Sequence, residues 1–159
     1  MSSRIISINF LLLILSTMTS FSQTAPTHKD IVYATVDGKE LKLDLYIPAK
    51  PVTQGLLVWV HGGAWRGGTK DGVPKVFPES GIATASIEFR QSTDARFPAQ
   101  IHDIKAAIRF LRAKASTFGC NANRIVIAGS SSGGHLAALV GVTNGHAEFE
   151  GKVGDYLQQ

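Results

Sequence analysis

Arg124-Ile125-Val126-Ile127-Ala128 runs directly into Gly129-Ser130-Ser131-Ser132-Gly133-Gly134-His135-Leu136. The first five residues have no polar alternation and read as a strand covered on both faces, the mark of a parallel sheet. Leu136, Leu139 and Val140 then fall on one side of a helix that begins after Ser131. Between strand and helix stands Gly-x-Ser-x-Gly. In a sharp strand-to-helix turn of this kind the central Ser is pushed clear of the sheet. Its neighbours two places either side must lack a Cβ, which would strike backbone. The pattern makes Ser131 a candidate nucleophile, and the helix it opens directs N–H groups at developing negative charge. Two plainer readings compete. The spacing Gly129 to Gly134 also suits a phosphate loop, but Lys and Ser/Thr should follow, and His135 and Leu136 stand there instead. A flexible Gly/Ser turn is the other, and the Gly-x-Ser-x-Gly pattern alone is too short to exclude it.

A second stretch decides between them. Gly55-Leu56-Leu57-Val58-Trp59-Val60 is another unalternating strand, and His61-Gly62-Gly63-Ala64-Trp65 follows it about 70 residues before the turn. A Gly-rich loop in this place can pass within about 3 Å of a substrate carbonyl and offer backbone N–H groups to its oxyanion. Gly62 and Gly63 are the candidates, joined by the N–H of Ser132. Either motif suits other folds, and the two in this order point to acyl-transfer chemistry.

Around them the chain alternates strand and helix. Ile82–Ile87 reads as a strand. Pro98 opens a helix with Ile101, Ile104, Ile108 and Leu111 in one stripe, and Gly119 stops it. Ile31–Val36, Asp37-Gly38 and Leu41–Ile47 form a hairpin whose leucines alternate with Lys42, Asp44 and Tyr46, predicting one buried and one solvated face. The fold class is α/β, a mostly parallel sheet flanked by helices.

The 159 residues carry 16 Lys and Arg against 12 Asp and Glu, with 44% apolar and 18% charged side chains. This is a globular composition with room for one core. The basic residues are scattered, with no run that would track nucleic acid. A lone Cys120 excludes an internal disulfide, no Cys/His cluster has the spacing of a zinc site, and no cofactor is implied. Met1 to Arg4, the apolar run Ile5 to Leu15, and Ser20-Phe21-Ser22 form a leader over residues 1–22, cut after Ser22 and too short to span a membrane. The expected location is secreted or periplasmic. Residues 23–30 read as a linker and 31–159 as the domain.

Leu45-Tyr46-Ile47-Pro48, His61 to Trp65, Arg96-Phe97-Pro98, Asp103 with Ala106, Ala107 and Arg109 to Leu111, Gly129 to Leu136, and Gly154-Asp155-Tyr156-Leu157 carry a resemblance. From about residue 31 onward the chain resembles the secreted esterase/lipase branch of the α/β-hydrolase superfamily, close to the bacterial feruloyl-esterase-like group. The resemblance implies an eight-stranded, mostly parallel sheet and hydrolysis of carboxylic esters by Ser, His and Asp. The substrate would be a small-molecule or polysaccharide-linked ester. Ser132 stands where the family usually has Ala, Ala64 where it has a third Gly, and Phe89 where a Tyr is common. Family order places the acid and the His beyond residue 159. The expectation is therefore the N-terminal part of a hydrolase domain, truncated after the elbow helix and inactive by itself. A prolyl-oligopeptidase-type peptidase and a catalytically inert fragment or binding module are the alternatives.

The histidines present are poor substitutes for the base. His135 should point along its helix, His61 should brace the oxyanion loop, and His102 reads as a satisfied or solvated surface residue. His28 falls in the linker and His146 in the irregular tail. Asp103, early in its helix, is read as offsetting the helix dipole. Asp155 resembles a family position before a later strand. Arg90 is read as an ion pair or loop brace, and Trp65 as either pocket lining or packing. Oligomeric state is not legible.

Overall fold

The computed structural model describes residues 25–51 and 54–159, so the leader at residues 1–22 lies outside the described part. Five strands form one sheet: β1 (His28–Val36), β2 (Lys39–Tyr46), β3 (Leu56–Val60), β4 (Thr84–Ile87) and β5 (Ile125–Gly129), in the order β1-β2-β4-β3-β5. The hairpin pairs antiparallel, β2 pairs antiparallel with β4, and β4, β3 and β5 run parallel. β1 begins at His28, so part of the stretch read as linker belongs to the sheet. The helices are α1 (Val76–Glu79), α2 (Ala99–Lys114), α3 (Ser132–Val142) and α4 (Ala147–Glu150).

The register sets the site. Val60 of β3 lies opposite both Ile87 of β4 and Gly129 of β5. The three parallel strands therefore end at one level, and the loops after them, beginning at His61, Glu88 and Ser130, emerge at the same carboxyl edge. In open α/β sheets that edge is where ligands bind.

The apolar stripe of α2 is buried as expected. Ile101, Ile104 and Leu111 lose essentially all exposure against Leu43, Val58, Val60 and Ile87 in the main core, each contributing about 1.5–3 kcal/mol. Gly119, at φ 75°, ends the 3₁₀ turn Ala115–Phe118 that continues α2. Only glycine takes that conformation without strain.

Two burial expectations are corrected. Asp44 and Tyr46, assigned to a solvated face of β2, are buried. The 3₁₀ turn Lys70–Gly72 covers them, and Tyr46 joins Trp59, Val73 and Phe77 in a second apolar cluster. Lys70 Nζ, itself buried, meets Asp44 at 3.1 Å and Asp30 at 2.7 Å, and Ser86 Oγ donates to Lys70 O at 2.6 Å. Burial alone would push the ammonium down, but the hydrogen bonds to Asp30 and Asp44 hold it above its ordinary value. β5 departs the other way. The sequence predicts cover on both faces, yet Val126 is exposed, and no strand among the described residues pairs with the outer edge of β5.

Asp103 is also reassigned. Its carboxylate is fully buried and accepts from Arg90 Nε at 2.9 Å, Arg90 NH2 at 2.8 Å and the Arg90 backbone N–H at 2.9 Å. That is a fork-shaped ion pair tying the loop after β4 to α2. Arg90 is thus the brace expected of it, and Asp103 is its partner, with no part left over for the helix dipole. Removing one member of a buried pair strands the other, at a cost of about 3–5 kcal/mol. Asp103→Ala should lower the urea midpoint by the equivalent amount. An unchanged midpoint would show that Arg90 finds water without loss.

The tail is better anchored than its polar sequence suggests. Lys105 Nζ donates to Thr143 O and to Glu150 Oε1, both at 2.7 Å, and Arg109 donates to the carbonyls of Glu150 and Val153 at 3.1 Å. Burial pushes the Glu150 carboxyl up, but Lys105 and the Gly145 N–H outweigh it and hold it below the usual carboxylate range.

Candidate active site

The turn between β5 and α3 has the strain its sequence implies. Ser131 sits at φ 51° and ψ −123°, a combination that L-residues rarely adopt and that costs about 1–3 kcal/mol. It is exposed at the carboxyl edge, immediately before the first residue of α3. Both flanking glycines are obligatory. A Cβ on Gly129 would stand 2.5 Å from Gly133 C and 2.6 Å from Val60 O, and one on Gly133 would strike the carbonyl oxygens of Val60 and His61. The turn is locked further by Gly133 N–H to Ser130 O at 2.8 Å and His135 N–H to Ser131 O at 3.1 Å.

The loop after β3 lies against this turn. A Cβ on Gly62 would come 2.8 Å from Ser130 O and 3.3 Å from Ser131 Cβ, so the loop approaches this closely only as glycine. Gly63 has φ +128°, and its carbonyl accepts from Arg66 and Gly67 N–H at 3.0 Å. Ala64 and Trp65 follow at φ 53° and 59°, two strained non-glycine residues in succession. The N–H groups of Gly62, Gly63 and Ser132 meet no acceptor among the described residues. Three uncommitted amides therefore belong to the two segments that meet at Ser131, with the dipole of α3 behind one of them.

The loop after β4 supports the arrangement. His61 is buried, stacks on Phe89 with ring centroids 4.6 Å apart, and contacts Gly62 O through Nδ1 at 2.8 Å. Ser92 N–H donates to Trp65 O at 2.7 Å. His61 is thus a brace inside the loop, as the sequence suggested. The contribution of Phe89 and Ser92 was not read from the sequence. Phe89, one of the departures from the family pattern, supplies the stacking surface.

The remaining candidates do not converge on Ser131. His135 packs edge-on against Trp65 at 5.6 Å, His102 Nε2 contacts Glu148 O at 2.9 Å, and His28 packs on Phe118 from within β1. His146 and Asp155 are exposed in the tail. Among the described residues no His or carboxylate hydrogen-bonds Ser131, no group of three or more His, Cys, Asp or Glu is placed to hold a metal, and no helix is long and apolar enough to cross a membrane.

A sheet with three parallel strands, the last ending in a strained Gly-x-Ser-x-Gly elbow beside a Gly-Gly loop, defines an α/β-hydrolase. Within that class the chain belongs to the BD-FAE family, the match to which covers residues 43–159. It is 35% identical over 111 residues to esterase LipC of Mycobacterium tuberculosis, an alignment covering 67% of this chain and 27% of that one. Among solved structures it is similar to a bifunctional GH43-CE protein of Bacteroides eggerthii, at 41% identity and TM-score 0.70, over 80% of this chain and 20% of that one. It is also similar to a truncated form of a carbohydrate esterase from gut microbiota, at 32% identity and TM-score 0.72, over 86% of this chain and 54% of that one. The chain thus spans between about a fifth and a half of the length of these relatives.

Proposed function

We propose that this chain is the nucleophile-bearing part of a serine hydrolase of carboxylic esters. The observation that carries the reading is the strained conformation of Ser131 between two glycines that no other residue can replace, beside the uncommitted amides of Gly62, Gly63 and Ser132. In the reaction Ser131 Oγ attacks the ester carbonyl while its proton passes to a His. The carbonyl oxygen becomes an oxyanion held by the three N–H groups, the alcohol leaves with the proton, and water releases the acid from the acyl-serine. In this reading the His, and the Asp that orients it, come from outside the described residues, among which no His or carboxylate hydrogen-bonds Ser131.

The substrate in this reading is an acyl ester carried on carbohydrate. The names of the gut carbohydrate esterase and the GH43-CE protein support it, as does Trp65, an exposed residue of the loop whose indole can offer an apolar face to a sugar. Residues 1–22 act as a cleaved export leader, which brings the enzyme to extracellular polysaccharide. The test is a substrate panel with the full-length protein. Release of carboxylic acid from acylated xylo-oligosaccharides, faster than from a simple alkyl ester, is expected. Cleavage of acyl-proline peptides without ester hydrolysis would overturn the reading.

A further inference from the structure

The loop that carries Gly62 and Gly63 is closed by its own backbone. Gly63 O accepts from Arg66 and Gly67 N–H, both at 3.0 Å, and a Cβ on Gly63 would strike Gly67 O. A Cβ on Gly68, at φ +92°, would strike Gly62 O and His61 Nδ1, so the outgoing arm lies directly against the peptide that joins Gly62 to Gly63. Just beyond Gly68 the arm is fastened. Lys70 is buried; its Nζ donates to Asp44 Oδ2 at 3.1 Å and meets Asp30 Oδ1 at 2.7 Å, while its carbonyl accepts from Ser86 Oγ at 2.6 Å. Asp44 and Ser86 stand opposite each other in the β2–β4 register, so Lys70 is tied by side chain and backbone to neighbouring positions of the sheet. Asp30 is brought in by a distortion. It has φ 55° where the β1–β2 register shifts between His28 and Ile31, and its N–H donates to Asp44 Oδ1 at 2.7 Å. Such irregularities re-aim a side chain. A buried ion pair is weak evidence for stabilisation, because apolar groups of similar volume often serve as well. A strand bent to bring a second carboxylate to Lys70 points instead to a positional role.

We propose that Lys70 is a positioning residue for the oxyanion-binding amides, clamped by Asp44 and Asp30. The clamp fixes the arm at Gly68, and Gly68 keeps Gly62 O beside His61 Nδ1, 2.8 Å away. In a trans peptide the carbonyl and the following N–H point in opposite directions, so fixing Gly62 O fixes the direction of Gly63 N–H. With the clamp gone, the arm from Arg66 to Thr69 moves off this peptide and one oxyanion donor loses its aim. A donor aimed in advance costs no reorganisation when charge develops on the substrate. The clamp rests on the ester-hydrolase reading above and adds to it the charged group that sets the aim of one oxyanion donor.

The experiment uses the full-length protein and two matched substrates, an activated acyl ester and its thionoester, whose sulfur accepts little from amide donors. Lys70→Met combined with Asp44→Leu replaces the buried pair by apolar groups and strands no buried charge, since Asp30 is half exposed and can turn to water. The double variant should lower kcat on the ester about tenfold, with KM within about twofold, because the lost aim matters most in the transition state. On the thionoester the loss should stay below about threefold. A smaller folded fraction would lower both rates alike, so the ratio of ester to thionoester turnover isolates the aim. Asp30→Asn weakens one tie, keeps a residue that tolerates the left-handed backbone, and should lower that ratio about threefold. It decides if the double variant folds poorly. An unchanged ratio in Asp30→Asn, or in a folded double variant, would overturn the clamp. Full activity in Ser131→Ala measured alongside would sink the hydrolase reading itself. An inactive Ser131→Ala with an unchanged ratio in both clamp variants would sink only the clamp.

Discussion

In the full-length protein, Ser131→Ala should lower kcat/KM for an activated acyl ester by about 10⁴-fold or more while leaving the melting temperature unchanged or raised. The kinetic loss follows from removing the only atom that forms the covalent intermediate; what remains over water comes from the oxyanion donors and binding. The stability effect has a separate origin. Ser131 is exposed, so the Oγ removed makes no buried contact, and the strain at φ 51° stays with the backbone. A functional residue whose loss costs rate but no stability is the signature of a site held by its scaffold. If Ser131→Ala instead unfolds the protein, the serine is holding the turn together and its role is structural.

The second large effect falls on stability. Gly133→Ala should destabilise the domain by about 3–5 kcal/mol, near the upper end for single substitutions. A methyl there meets the carbonyl oxygens of Val60 and His61 and stands 2.7 Å from His61 C, all of them backbone. Relief would require β3 to shift, and β3 is an interior strand, paired to both β4 and β5. Gly141→Ala is the control in the same helix, because nothing lies within 4 Å of its added methyl. It should stabilise by about 0.5–1 kcal/mol through the ordinary helix preference for Ala. Urea midpoints of the two variants should therefore move in opposite directions. Equal small shifts would mean that the elbow has more room than its geometry indicates.

Much of this architecture is legible in the sequence, and the reason is steric. Gly129 and Gly133 are demanded by contacts with neighbouring backbone, and a spacing that any other residue would break is a spacing that can be read. The stripe Ile101, Ile104, Leu111 and the wholly apolar β3 are equally plain, because burial on one face or on two leaves different periodicities. Charges that find partners far along the chain are harder. Asp44 lies in an alternating strand and reads as solvated until Lys70, 26 residues later, arrives over it. Asp103 reads as a dipole-capping carboxylate until Arg90 is found beside it. Position 103 flanks the stripe residue Ile104, and an acidic side chain there was the available hint of a buried partner. The loop after β4 was the least readable element of the site. Phe89 and Ser92 match no motif, and they matter only because the register of β3 and β4 brings their loop beside His61 and Trp65.

The central claim is that Ser131 is a nucleophile aimed at an oxyanion site. The most direct measurement is treatment of the full-length protein with a fluorophosphonate, followed by peptide mass spectrometry. The reagent needs an activated serine and places its phosphoryl oxygen where the oxyanion would sit. The account predicts one phosphonyl group per chain, carried on Ser131, with ester hydrolysis lost in proportion to labelling. An unlabelled Ser131 in a protein that still cleaves esters, or a label on another serine, would contradict it.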